Sequence, residues 1–184
     1  MSDQLDVLTL VATRLEGLGI SYMITGSLAA SHYATPRFTR DIDIVVEMDP
    51  HAASRLAGAL APEFYVDEQA LLSAVGREGM ANIIHLELLV KVDLIVRKNT
   101  PYRVEEFRRR RPAVLDGLTI WFVAPEDLVL SKLLWMRNSD SEVQRRDVEA
   151  IVSSVDDLDR AYIDRWASDL GVEILWREVS DAAR

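Results

Sequence analysis

Asp41-Ile42-Asp43-Ile44-Val45-Val46-Glu47 alternates strictly. On a β-strand Ile42, Ile44 and Val46 leave one face, and Asp41, Asp43, Val45 and Glu47 leave the other. The first face is built for a core. The second carries two carboxylates two residues apart, although aspartate is a poor strand former. A polar outer face explains either acid alone and explains the pair less well. A second apolar strand, Lys91-Val92-Asp93-Leu94-Ile95-Val96, repeats the pattern, with Lys91, Asp93 and Ile95 on one face. If the two strands are neighbours, Asp41, Asp43 and Asp93 converge on one patch. Like charges within about 4–6 Å repel unless a cation neutralises them. Hard oxygen donors of this kind suit Mg²⁺, which is typically held by one or two carboxylates plus substrate phosphates.

Outward from these strands, the spacing of Leu5, Leu8, Val11, Ala12 and Leu15 predicts an amphipathic helix over 3–16, ended by Gly17 and Gly19. A strand over 20–25 and a short helix over 28–34 follow, the helix closed by Pro36. Helices are expected over 50–60, 67–75 and 101–110, and strands over 83–86 and 90–96. Asp116-Gly117, between Val114-Leu115 and Leu118 to Val123, is a hairpin signal. From Pro125 the pattern is helical: 125–137, 141–154, 158–169 and a further segment at 172–180, opened by proline and acids that complement the helix dipole. The fold class read from this order is α/β (α+β): an α/β half over 1–123, then a small C-terminal helical bundle over 124–184.

Composition narrows the chemistry. The 184 residues contain no cysteine and three histidines, so thiolate catalysis, disulfides and a Cys- or His-built zinc site are set aside. No apolar run reaches the roughly 18 residues of a membrane span. The start lacks a basic segment followed by an apolar one, and the expectation is a cytoplasmic protein with no membrane partner. A formal net charge of −9 leaves nucleic-acid binding only to a local patch. Arg108 to Arg111 form one such patch. They are either cations at a helix end or, with Arg145 and Arg146, a seat for RNA phosphates.

Three further places carry chemistry. Gly26-Ser27 sits where a strand ends and a helix starts. It is a plain N-cap or a phosphate seat, glycine allowing close approach to the backbone and the hydroxyl adding a hydrogen bond. Lys132 is flanked at helical spacing by Leu128, Val129, Trp135 and Met136. Asp147 is flanked by Val143, Ala150 and Ile151. Opposite charges on two apolar helix faces are either an internal ion pair or groups turned toward a bound nucleotide.

Together these residues resemble the DNA polymerase β-like nucleotidyltransferase superfamily. The resemblance runs from Gly26-Ser27, across thirteen intervening residues, to Asp41-Ile42-Asp43 and then Lys91-Val92-Asp93-Leu94. Arg37-Phe38-Thr39-Arg40-Asp41-Ile42-Asp43 looks like the R-x-T-x-D-I-D form of the first motif. Leu130-Ser131-Lys132-Leu133 and Arg146-Asp147-Val148-Glu149-Ala150 are similar to the later motifs of the AbiEii type, found in toxin–antitoxin and abortive-infection systems. The resemblance implies transfer of an NMP from an NTP to an acceptor hydroxyl with release of pyrophosphate. Asp41 and Asp43 would bind two Mg²⁺ ions, with Mn²⁺ as a substitute. Asp93 would share one ion and activate the acceptor. Gly26 and Ser27 would hold the β/γ phosphates, and Lys132 and Asp147 would complete the nucleotide side. The acceptor is left open among RNA, protein and small molecule, including an aminoglycoside-type adenylyl acceptor, and a cognate antitoxin or toxin is an expected partner. The rival expectation is a catalytically silent nucleotide- or partner-binding module on the same fold.

Overall fold

The computed structural model describes residues 3–35, 41–115, 117–139 and 141–182. The Arg37–Arg40 part of the first motif, and Asp116 of the hairpin, lie outside them. Among the described residues the elements run α1 (Asp3–Gly17), β1 (Ser21–Thr25), α2 (Gly26–Tyr33), β2 (Asp41–Glu47), α3 (Pro50–Leu60), β3 (Phe64–Val66), α4 (Glu68–Gly76), β4 (Met80–His85), β5 (Lys91–Val96), α5 (Pro101–Arg108), β6 (Arg111–Leu115), β7 (Leu118–Phe122), α6 (Pro125–Ser139), α7 (Glu142–Ser154), α8 (Arg160–Leu170) and α9 (Glu173–Ala182). Two compact units result. The first holds α1, β1, β2 and everything from α3 to β7; the second holds α2 and α6 to α9.

The first unit is built on one mixed sheet in the order β3-β4-β5-β2-β1-β7-β6. β2 lies parallel to β5 and antiparallel to β1, and β1 lies parallel to β7. The alternation of β2 is realised, with Ile42, Ile44 and Val46 fully buried while Asp41, Asp43 and Val45 are half-buried. Val92 and Leu94 of β5 are likewise withdrawn from water. Burying each such side chain contributes about 1.5–3 kcal/mol. α1, α3 and α4 pack on one another and on the sheet through Val7, Leu8, Val11, Leu15, Leu56, Leu60 and Leu71. Local signals fix the helix starts. The Asp49 carboxylate accepts the Ala52 N–H at 2.7 Å ahead of Pro50, and Asp67 accepts that of Ala70 at 3.0 Å. Such caps are worth about 1 kcal/mol each.

The structure also departs from the sequence-based elements. β4 starts at Met80 rather than at Ile83, because Met80, Asn82 and Ile84 form an outer face that alternates with buried Ala81, Ile83 and His85. β3 is a three-residue strand paired to β4. β6 begins at Arg111 and includes Pro112, which its place at the end of the strand order permits.

In the second unit α6 packs on α2, α7, α8 and α9. The acids that open α6 are not surface groups. Glu126 and Asp127 are fully buried. The Tyr162 hydroxyl of α8 donates to Asp127 Oδ1 at 2.6 Å, and the Asp159 N–H donates to Glu126 Oε1 at 3.3 Å. The two carboxylates thus serve the helix dipole and anchor α8. Gly171 ends α8 in the left-handed region at φ +68°, a conformation glycine takes without penalty.

One core group gives a pH signature. Tyr22 of β1 is buried, and among the described residues its hydroxyl has no hydrogen-bond partner of good geometry. Burial, helped by Glu16 and weakly opposed by the Trp121 backbone, pushes the phenol up to about 12 from 10.0. Between these values the unfolded chain ionises the phenol and the folded chain does not. This contribution to stability is therefore intact below pH 10 and is lost as pH rises toward 12, by roughly 2–3 kcal/mol. Tyr22→Phe should be at least as stable at neutral pH, because no buried hydroxyl is left orphaned. It should also show a shallower alkaline decline in denaturant titrations between pH 9 and 12. A decline as steep as that of the wild type would assign it to other groups.

Candidate active site

β2 and β5 run side by side in the same direction. Their register sets Asp41 across from Lys91, Asp43 across from Asp93, and Val45 across from Ile95. Cross-strand partners share a face, so the three acids stand on one side of the sheet. Asn82 of β4 is across from Asp93, and Thr25 of β1 is across from Asp43. One row of the sheet therefore reads Asn82, Asp93, Asp43, Thr25 over four strands.

The electrostatics of this row depend on a residue to which the sequence reading gave no role. The Lys91 ammonium lies 3.0 Å from Asp93 Oδ2 and 3.2 Å from Asp41 Oδ2. Asn82 Nδ2 donates to the other oxygen of Asp93 at 2.8 Å. Asp93 is buried, 7% exposed, and both of its oxygens are engaged. The hydrogen bond to Asp93 raises the Lys91 pKa above its ordinary value; burial opposes this, and Asp41 adds to the rise. Lys91 is thus cationic throughout the neutral range. Its stabilising contribution is lost only as pH climbs past the lysine range. The signal for Lys91 was its position two residues before Asp93 on one strand face. The signal for Asn82 was its place between Ala81 and Ile83, on the same outer face as Met80 and Ile84.

The donor set suits a hard divalent cation: three carboxylates on one sheet face, that of Asp41 about half exposed at 51%. Among the described residues, however, no group of three acidic or histidine side chains is already gathered around one point. The Lys91 ammonium supplies the positive charge between Asp41 and Asp93.

The other candidate residues belong to the second unit. Gly26 is the first residue of α2 and has φ +65°, a backbone conformation that favours glycine. Ser27 follows it, half-buried, and its carbonyl accepts the Ser31 hydroxyl at 3.1 Å. Lys132 of α6 and Asp147 of α7 meet at 2.7 Å, with side chains 4% and 8% exposed. Gln144 Oε1 takes a second donor hydrogen of Lys132 at 3.0 Å. Trp135 and Val143, read as parts of the apolar faces, stand exposed. The basic run is partly spent inside the first unit. Arg108 pairs with Glu105, and the Arg110 guanidinium stacks over the rings of Phe107 and Trp121 at 4.6 and 5.1 Å.

A mixed sheet with this acid-bearing strand pair, flanked by helices, defines a polymerase β-like nucleotidyltransferase fold, and solved structures of that class match it. ANT(2″)-Ia in complex with adenylyl-2″-tobramycin superposes with a TM-score of 0.62 at 10% identity, over 92% of this chain and 97% of that one. An antigenic nucleotidyltransferase-like protein from Paracoccidioides brasiliensis gives 0.55 at 18% identity, over 80% and 74% of the two chains. Lincomycin-bound LnuA, a lincosamide antibiotic adenylyltransferase, gives 0.54 at 12% identity, over 84% and 99%. No curated protein matches the chain by sequence. The chain belongs to the family described as nucleotidyltransferase of unknown function (DUF6036), whose model matches residues 5–175. Among the described residues no helix is long and apolar enough to cross a membrane.

Proposed function

We propose that this chain moves an NMP group from an NTP to an acceptor hydroxyl, with release of pyrophosphate, using Asp41, Asp43 and Asp93 as ligands for Mg²⁺. The observation that carries the reading is the parallel register of β2 and β5, which sets Asp43 beside Asp93 on one face of the sheet. When bound, the metal would supply Lewis-acid stabilisation of the attacking and leaving oxygens. The protein's own part is positioning and electrostatics. Asn82 fixes the Asp93 carboxylate through Oδ1, and Asp93 would share a metal ion and help activate the acceptor hydroxyl. The left-handed turn at Gly26 and the start of α2 at Ser27 suit the seating of phosphates. Lys132 and Asp147 complete the nucleotide side in this proposal.

The acceptor is proposed to be a small molecule. The net charge of −9, and the engagement of Arg108 with Glu105 and of Arg110 with Phe107 and Trp121, count against a nucleic-acid surface. The antibiotic adenylyltransferases that share the fold point in the same direction, as an analogy of fold. A place in a toxin–antitoxin pair rests on the AbiEii-like segments around Lys132 and Asp147 alone. A second reading, a catalytically silent binding module, is favoured by one observation: Lys91 already neutralises Asp41 and Asp93.

Incubation with each α-labelled NTP, Mg²⁺ and a cell extract separates the two. Label appearing on an acceptor, with pyrophosphate released, is the expected result. Nucleotide binding without any transfer of label would favour the silent module.

A further inference from the structure

Lys91 touches two of the three acids, and the proposed chemistry has no use for it. Its ammonium sits 3.2 Å from Asp41 Oδ2 and 3.0 Å from Asp93 Oδ2, on carboxylates from two neighbouring parallel strands. Asn82 holds Asp93 from the other side at 2.8 Å, which keeps Oδ2 turned toward Lys91. The lysine side chain is 35% exposed. Its flexible four-carbon stem can carry the head out to water without disturbing the strand.

We propose that Lys91 is a resident counter-ion that competes with divalent metal for Asp41 and Asp93, so that the nucleotide-free protein holds Mg²⁺ weakly. This rests on reading the three acids as metal ligands. An ion bound by the same oxygens would stand within about 4 Å of the ammonium, where repulsion is strong at the modest dielectric of a half-buried site. The lysine must therefore leave, and the metal gains two carboxylates only by breaking two ion pairs. A nucleotide changes this balance, because its phosphates bring charge that holds the metal and gives the freed ammonium a new counter-charge. Lys91 is thus a tuning residue that makes metal uptake depend on nucleotide. Without it the acids would repel one another in the empty protein and would bind Mg²⁺ more tightly.

The test uses Lys91→Met, which keeps the length and removes the charge, and Lys91→Arg, which keeps the charge. Lys91→Gln covers the case in which the methionine variant does not fold. Mg²⁺ is titrated into each nucleotide-free protein by calorimetry, and melting is followed in EDTA and in saturating Mg²⁺. The uncharged variants should melt below wild type in EDTA, bind Mg²⁺ about tenfold or more tightly, and close the melting gap as Mg²⁺ saturates. The arginine variant should stay near wild type in Mg²⁺ affinity. An uncharged variant whose Mg²⁺ affinity is unchanged or weaker overturns the proposal. If no variant binds Mg²⁺, the proposal fails together with the metal reading. Tighter Mg²⁺ binding in the uncharged variants, in a protein that transfers no NMP, supports the counter-ion role and removes only the transferase.

Discussion

Asp43→Asn should cost NMP transfer about 10²–10³-fold while leaving the fold intact. The side chain changes by one atom type, and β2 keeps its backbone register with β1 and β5. What disappears is one negative charge in a row where Asp43 stands directly across from Asp93. Lys91 is engaged with Asp41 and Asp93, so those ion pairs survive the change. Removing a like charge beside them relieves repulsion, and the melting temperature should hold or rise. The prediction therefore couples a large loss in one measurement to no loss in the other. Labelled NMP incorporation and thermal melting of the same preparation check it. Near-normal turnover with Mg²⁺ would sink the assignment of Asp43 as a metal ligand.

The shared face of Asp41 and Asp43 was legible because strand alternation is local: two residues apart means one face, whatever the rest of the chain does. The neighbour relation was not. β2 and β5 are parallel, so a long crossover through α3, β3, α4 and β4 separates them, and no turn residue encodes the register. Without the register, Lys91 was only another residue on the Asp93 face; its position across from Asp41 makes it a bridge. β3 was missed because Phe64-Tyr65-Val66 is too short to show a period. The start of β6 was hidden by Pro112, a residue that signals a break except on an edge strand. Helix ends fared better, since Asp49, Asp67 and Gly171 act within a turn of themselves. The grouping of α2 with α6 and α7 depends on contacts far apart in sequence. The buried state of Glu126 and Asp127 depends on where Asp159 and Tyr162 fall. Opposite charges on two apolar helix faces left a Lys132–Asp147 ion pair as one of two readings, while Gln144, an ordinary surface residue by composition, gave no sign of joining it.

That encounter carries the largest expected effect on stability. Lys132→Ala should cost about 3–5 kcal/mol, because it takes the cation away from a buried carboxylate. The pair is 2.7 Å long, the two side chains are 4% and 8% exposed, and the third member, Gln144, can donate to a carboxylate only if its amide turns over. Asp147→Asn should cost less, since the amide keeps an oxygen toward the ammonium. Replacing both charged residues, as Lys132→Met with Asp147→Leu, should recover most of the loss, as apolar substitutes for buried ion pairs commonly do. The double variant also separates the pair's structural role from its proposed role at the nucleotide. If Lys132 serves the triphosphate, the double variant regains stability but not NTP turnover, and Lys132→Arg restores neither fully, since a planar fork does not fit where a compact ammonium bonds two neighbours. If the pair only holds α6 against α7, the double variant regains both. Chemical denaturation and NTP turnover on the two single variants and the double are the measurements. Full activity in the stable double variant would strike Lys132 and Asp147 from the nucleotide site and leave the three acids, with Gly26 and Ser27, as its proposed members.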